Sequence, residues 1–227
     1  RREGDLDAEP LRPGDVRVDV QPPAAVTGVE VARPDAAGGR GHVRTIDARV
    51  VVNLAGTAID EVAGSAVPMS MPVRGSHIVV DRFPGAPETC LFFEARSDRR
   101  PMFVLPWAGR FMIGTTDLRH EGRLDDVVAT DGEIDYLLAE ANRIIPSAGL
   151  GRESVQWSYA GLRALPRTEA DHVSRDYVVV DHGARGADAG LITVIGGKLT
   201  THRALGESVV DLVAARLDRE IGPSITA

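Results

Sequence analysis

The 227-residue sequence holds a single cysteine, Cys90, which excludes an intrachain disulfide framework and any cysteine-rich zinc site. It lacks any uninterrupted apolar run approaching the roughly 18 residues of a membrane-spanning helix, and no signal peptide opens it. The default compartment on this reading is the cytoplasm. An excess of positive charge is missing too: 33 acidic against 26 basic side chains leave a formal net charge of −7. Nucleic-acid binding through general phosphate neutralisation is disfavoured, although a local basic pocket stays compatible with that balance. Lysine is the scarcest cation. Of the 26 basic residues 25 are arginine, and the remaining one is Lys198. Arginine is a planar, permanently charged fork, whereas lysine is a compact charge with a tunable pKa. A sole lysine is therefore a candidate for chemistry, with survival by chance as the competing account.

What is present is the balance of a soluble globular chain, 43% hydrophobic and 26% charged, long enough for one large domain or two small ones. Residues 1–24 are polar and proline-rich, a poorly defined segment in which only Val16, Val18 and Val20 alternate as a strand does. Val26 to Ala32 alternates at period two, Pro34 to Gly41 reads as a loop, and His42 to Asn53 reads as a second strand. From Arg49 the alternation gives way to a continuous apolar run, the mark of a strand covered on both faces. Between Pro68 and Pro166 the runs Ser76–Val80, Thr89–Glu94, Met102–Pro106, Phe111–Thr115 and Val155–Tyr159 predict an antiparallel sheet. One helix interrupts them. Thr130-Asp-Gly-Glu133 is a capping box, Ile134, Leu137, Leu138, Ala141, Ile144 and Ile145 form its apolar stripe, and Pro146 stops it. The chain closes with a strand over Gly190–Ile195, the turn Gly196-Gly197 and a helix over Thr200–Arg219.

Four clusters could carry chemistry. In Ile195-Gly-Gly-Lys-Leu-Thr-Thr-His-Arg203, two glycines after a strand let backbone approach a flat or phosphorylated ligand, and the next helix points free N–H groups there. An ordinary capped strand-to-helix turn is the plainer alternative. In Pro72-Val-Arg-Gly-Ser-His-Ile-Val-Val80, His77 at the mouth of a strand suits general-base work, against the alternative of a histidine packed at a sheet edge. Arg163, in Tyr159-Ala-Gly-Leu-Arg-Ala-Leu-Pro166, and Arg175, in Ser174-Arg-Asp176, stand in apolar or strand-edge settings where a buried guanidinium calls for an anion.

Taken together, these stretches resemble the FAD-dependent glycerol-3-phosphate dehydrogenases of the D-amino-acid-oxidase-like flavoprotein superfamily. The resemblance runs from about Val26 to Asp211. It is carried by Ala48-Arg-Val-Val-Val-Asn-Leu-Ala-Gly56, Pro72–Val80, Pro106-Trp-Ala-Gly-Arg110 with Ile113-Gly-Thr-Thr-Asp117, Asp131–Pro146, Tyr159–Leu165, Ser174-Arg-Asp-Tyr177 and Leu191–Arg203. It implies a mixed α/β fold, the latter part of a FAD-binding domain with an antiparallel-sheet substrate domain. Residues 25–67 and 166–227 would belong to the first and 68–165 to the second. It implies oxidation of sn-glycerol 3-phosphate to dihydroxyacetone phosphate, with hydride passing to flavin N5 and electrons going on to a quinone or another acceptor. On the same resemblance His77 takes the substrate C2 hydroxyl proton, while Arg163, Arg175 and Lys198 hold the phosphate. Asn53, Gly56, Gly196, Gly197, Leu199 and Thr200 would line the flavin, and the final helix dipole would favour negative charge on it. No metal is implied. Relatives of this kind are often peripheral at the membrane, so contact with its inner face belongs to the expectation beside a cytoplasmic location.

Three departures accompany the resemblance. No first strand with a Gly-x-Gly-x-x-Gly turn is present, and Gly38-Gly-Arg-Gly41 reads as a loop that opens no helix. Thr57-Ala58 stands where the family usually has Pro-Trp, and no helical domain follows the last helix. The chain is thus expected to be part of a longer flavoenzyme and inactive without the missing FAD-binding half. The strands Val50–Asn53 and Leu191–Ile195 are expected to lack parallel neighbours. Two rivals stay open: a flavin oxidoreductase acting on an amino or hydroxy acid, and an inactive remnant or interaction module.

Overall fold

The computed structural model describes residues 16–21, 25–34, 40–167, 176–185 and 188–226. The chain divides into two compact units, one formed by residues 1–71 and 164–227, the other by Pro72–Arg163.

In the first unit, β1 (Val16–Gln21), β2 (Ala25–Pro34) and β3 (Arg40–Asp47) make an antiparallel sheet in sequential order. The alternating valines expected to form a strand near residue 18 do so. The single strand expected over His42–Asn53 is instead two. The Ala48 amide still bonds the Thr27 carbonyl at 2.9 Å, but the Val51 amide bonds Gly190 at 2.8 Å. The chain changes sheet there, which is why its pattern changes from alternating to continuously apolar. The second piece, β4 (Val51–Asn53), leads through a 3₁₀ turn over Gly56–Ala58 into the short helix α1 (Ile59–Ala63). Asp60 in that helix accepts from the Met69 amide at 2.7 Å and from the Ser70 amide and hydroxyl at 3.1 and 2.6 Å.

The second unit is built on one antiparallel sheet. The elements are β5 (Ser70–Val80), β6 (Leu91–Glu94), β7 (Pro101–Trp107), β8 (Arg110–Gly114), β9 (Leu118–Arg119), α2 (Asp131–Ile144) and β10 (Val155–Pro166). Their order is β10-β5-β8-β7-β6, with β9 also on β5. Strands β7 and β8 are joined by the two residues Ala108 and Gly109, with φ of 47° and 79°, as a tight hairpin whose loop twist matches its strands requires. The sheet's inner face packs on α2: Ile78, Val80, Met102, Val104 and Ile113 meet Leu137, Leu138 and Ala141. That helix has the capping box expected of Thr130 and Glu133; of its predicted stripe Leu137, Leu138, Ala141 and Ile145 are buried, and Ile134 and Ile144 are partly buried against the same cluster. Strand β10 is more than twice the expected length, because Gly161 inside it masks an extended run that continues to Pro166.

The chain then returns to the first unit with β11 (Val178–Asp181), β12 (Leu191–Ile195) and α3 (His202–Arg216). All five residues of β12 are buried, and it lies between β11, antiparallel, and β4, parallel. This corrects the expectation that β4 and β12 lack parallel neighbours: they are each other's, with Leu191 opposite Val51 and Thr193 opposite Asn53. The continuous apolar sequence of β12 reflects its central place, whereas β4 forms the edge of this sheet and is fully buried only at Asn53. Among the described residues, no helix is long and apolar enough to cross a membrane.

Candidate active site

Alternation along β5 divides its side chains between two faces. Ser76, Ile78 and Val80 point toward α2, whereas Gly75 and His77 lie on the opposite face. The imidazole of His77 stacks on Tyr159 at a centroid distance of 4.9 Å and an angle of 9°, and is tilted against Phe103 at 5.7 Å. Burial, and secondarily the charge of Arg163, hold its pKa below the ordinary histidine value. Its Nδ1 is buried without a hydrogen-bond partner among the described residues. A neutral ring with one enclosed nitrogen leaves Nε2 as the atom able to meet a substrate hydroxyl.

Arg163, on the neighbouring strand β10, belongs to the same arrangement. Its Nη1 donates to Asp117 Oδ1 and its Nη2 to Thr115 Oγ1, both at 3.3 Å. Asp117 is also paired with Arg100 at 3.3 Å, so one carboxylate anchors two guanidiniums. Asp117 and Thr115 thus fix the direction in which the Arg163 guanidinium faces.

The opposite face of β5 is held by Glu133. This buried carboxylate accepts from Ser76 Oγ at 2.8 Å, Thr116 Oγ1 at 2.7 Å and Thr130 N and Oγ1 at 3.0 and 2.8 Å, and pairs with Arg74 at 3.0 Å. Burial works to raise its pKa, but the hydrogen bonds from Thr116, Thr130 and Ser76 outweigh it and hold the carboxyl at about 2. Ser76 precedes His77 and Thr116 follows Thr115, so this network fixes the two chain segments that carry the site.

In the first unit, the parallel pair β4 and β12 ends on one edge, the place where ligands bind open α/β sheets. Gly196 and Gly197 follow β12 with φ of 80° and 98°, left-handed values that suit only glycine. Gly56 follows β4 with φ of 60°. Asn53 is buried, its Nδ2 donating to the Ile59 carbonyl at 2.8 Å and its Oδ1 accepting from the Ala55 amide at 3.2 Å. Its side chain thus braces the turn. Leu54 and Leu199 are 64% and 87% exposed at these strand ends, an apolar surface left open to a flat ring. Lys198 and Thr200 are exposed, and the turn is capped by Thr201, whose Oγ1 accepts from the Lys198 amide at 3.3 Å.

The structure thus brings His77 and Arg163 together in one unit, and Asn53, Gly56 and the 196–200 turn to one sheet edge in the other. Arg175 lies outside the described residues. Sequence reasoning missed Thr115, Asp117, Tyr159 and Phe103 as site partners, and took Glu133 for a helix cap alone.

Residues 17–211 match the family of FAD dependent oxidoreductases. The chain belongs to that family. It is 46% identical over 191 residues to a glycerol-3-phosphate dehydrogenase of Synechocystis, covering 78% of this chain and 34% of that one. It is 39% identical over 176 residues to a D-erythritol 1-phosphate dehydrogenase of Brucella abortus, covering 74% and 34%. A crystal structure of the glycerol-3-phosphate dehydrogenase from Bacillus halodurans, complexed with FAD, superposes with a TM-score of 0.74 at 30% identity, over 92% of this chain and 40% of that chain. The chain spans about a third of the length of the curated relatives it matches. The family's cofactor fits the edge formed by β4 and β12 in part. Positive-φ glycines and exposed leucines suit the flat ring end, while the described residues include no Gly-x-Gly-x-x-Gly turn between a strand and a helix for its pyrophosphate.

Proposed function

We propose that the chain forms the substrate-handling face and part of the flavin-binding surface of an FAD-dependent dehydrogenase that oxidises sn-glycerol 3-phosphate to dihydroxyacetone phosphate. The observation that carries this reading is a neutral, half-enclosed His77 beside an oriented Arg163 on one sheet face. Identity of 46% to a glycerol-3-phosphate dehydrogenase supports the substrate.

In this mechanism Arg163 binds the phosphate through its fork, and Arg175 and Lys198 add the charge that a dianion demands. Holding the phosphate places the C2 hydroxyl at His77. Nε2 of His77 takes the hydroxyl proton, which requires the ring to be neutral near pH 7, as its lowered pKa makes it. FAD, when bound, supplies the two-electron acceptor for the hydride leaving C2. Gly56, Gly196, Gly197, Leu199 and Thr200 would hold its ring end, with Asn53 keeping the β4 turn in shape. Residues 25–67 and 166–227 would serve the cofactor and 68–165 the substrate. Transfer of electrons to a quinone or other acceptor, a cytoplasmic location and peripheral contact with the inner membrane face complete the proposal. The electron acceptor and the membrane contact rest on the family resemblance, the location on the sequence reading.

A second substrate deserves a place in the test, because a relative at 39% identity is a D-erythritol 1-phosphate dehydrogenase. Both compounds are polyol phosphates. The test is steady-state oxidation of sn-glycerol 3-phosphate, D-erythritol 1-phosphate, glycerol and amino acids by the complete, FAD-loaded enzyme. Arg163→Ala should raise the KM for the phosphorylated substrate at least ~30-fold, as expected when a charge-assisted pair worth ~2–5 kcal/mol is lost. An unchanged KM, or equal turnover of unphosphorylated glycerol, overturns the reading. Preference for the four-carbon substrate would keep the chemistry and change the substrate.

A further inference from the structure

We propose that Gly75 and Gly114 are positioning residues, each a slot that sets where one functional side chain lies: Gly75 for Arg163 and Gly114 for His77. The inference rests on the roles given above to Arg163 in phosphate binding and His77 in proton transfer. It starts from space. A Cβ at Gly75 would stand 2.5, 2.6 and 2.8 Å from Nη2, Nη1 and Cζ of Arg163, and these are its three nearest atoms. A Cβ at Gly114 would stand 2.1, 2.7 and 3.0 Å from Cδ2, Nε2 and Cγ of His77, again the three nearest. Comfortable carbon contacts begin near ~3.5 Å, so each added methyl overlaps the one side chain that the site depends on.

Both glycines lie within strands and neither has a positive φ. Glycine weakens a strand, and in such a place it marks a close approach. The register shows what approaches. His77 on β5, Gly114 on β8 and Phe103 on β7 stand opposite one another in a row. The imidazole lies across the empty middle position toward Phe103, with Tyr159 stacked on it. Arg163 lies over Gly75 while Asp117 and Thr115 hold its guanidinium. A methyl at either glycine displaces a ring or a fork from a place that other residues have already defined. The two slots therefore govern different quantities, substrate affinity through Arg163 and proton transfer through His77.

The experiment uses the complete, FAD-loaded enzyme with sn-glycerol 3-phosphate. Gly75→Ala should raise KM about tenfold or more and leave kcat within about twofold, since small misplacements of binding groups are costly. Gly114→Ala should lower kcat about tenfold or more, shift the acid limb of its pH profile, and leave KM within about twofold. In an Arg163→Ala background Gly75→Ala should add nothing, and in a His77→Ala background Gly114→Ala should add nothing, because the atoms each methyl strikes are gone. Multiplying effects in those backgrounds, or equal changes in KM and kcat for either glycine variant, overturn the inference. If Gly114→Ala alone does not fold, a folded His77→Ala/Gly114→Ala protein with the melting temperature of His77→Ala supports it, and a double variant that also fails to fold overturns it. Silent glycine variants beside strong Arg163→Ala and His77→Ala effects sink this inference alone. Silent Arg163→Ala and His77→Ala variants sink the functional reading beneath it.

Discussion

The two units place their candidate site residues by opposite means. In the Pro72–Arg163 unit each functional side chain is gripped: His77 by Tyr159 and Phe103, Arg163 by Asp117 and Thr115, and the strand that carries His77 by Glu133. In the other unit the candidate residues are placed by backbone. Gly196 and Gly197 take left-handed angles, and Lys198, Leu199 and Thr200 are exposed. Gripped side chains suit a small substrate whose reacting atoms must be held within a fraction of an ångström. An open backbone edge suits a large planar ligand that supplies its own rigidity. The contrast teaches where substitution should hurt catalysis, where it should hurt stability, and where it should do little.

The largest effect belongs to the gripped unit. His77→Ala should slow reduction of the bound flavin ~10²–10⁴-fold in single-turnover stopped-flow measurements, with the flavin spectrum unchanged. A normal reduction rate would make His77 a packing residue and erase the contrast. Next comes Glu133→Gln, which leaves Arg74 without its carboxylate partner and takes a charge from a network of three hydroxyl donors. A loss of ~3 kcal/mol in chemical denaturation is expected. The wild-type protein should show the same term through pH. The Glu133 pKa is depressed in the folded state, so its stabilisation is complete above the ordinary 4.5, erodes as pH falls, and is gone below about 2. A Glu133→Gln variant should lack that part of the acid transition, and an identical acid profile would count against the network.

The open edge should respond more weakly. Gly196→Ala forces a side chain onto φ of 80° and brings its Cβ within 2.9 Å of the Asp176 carbonyl oxygen, so a cost of about 2 kcal/mol is expected in thermal unfolding. Smallest of all is Leu199→Ser, at an 87% exposed position, which should leave stability within about 0.5 kcal/mol while weakening retention of FAD by the complete enzyme. Unaltered FAD retention after desalting, read from the visible absorbance, would show that this surface does not meet the cofactor.

Much of the fold was legible because its signals are local. The capping box at Thr130 and Glu133, the stripe from Ile134 to Ile145 and the alternation around Val18 and Val29 each lie within one element. The same locality explains the misreadings. His42–Asn53 looked like one strand because a change of partner leaves little trace beyond lost alternation. Ala160–Pro166 did not look like strand because Gly161 interrupts the pattern. Of the site, His77 and Arg163 stood out by residue type and context. Asp117, 46 residues from Arg163, did not, nor did the link from Glu133 to Ser76 across 57 residues.

By itself, the sequence determined the residue chemistry available, the α2 and α3 helices, the apolar strands and the membership of the FAD dependent oxidoreductases. Only the tertiary structure decided which of those residues meet. Register sets Gly114 between His77 and Phe103, and parallel pairing sets β4 beside β12. The reason is physical. Propensity, capping and amphipathic spacing act over a few residues and are written in consecutive letters. A guanidinium lying over a glycine on the next strand depends on sheet order and register, which emerge only when the whole core packs.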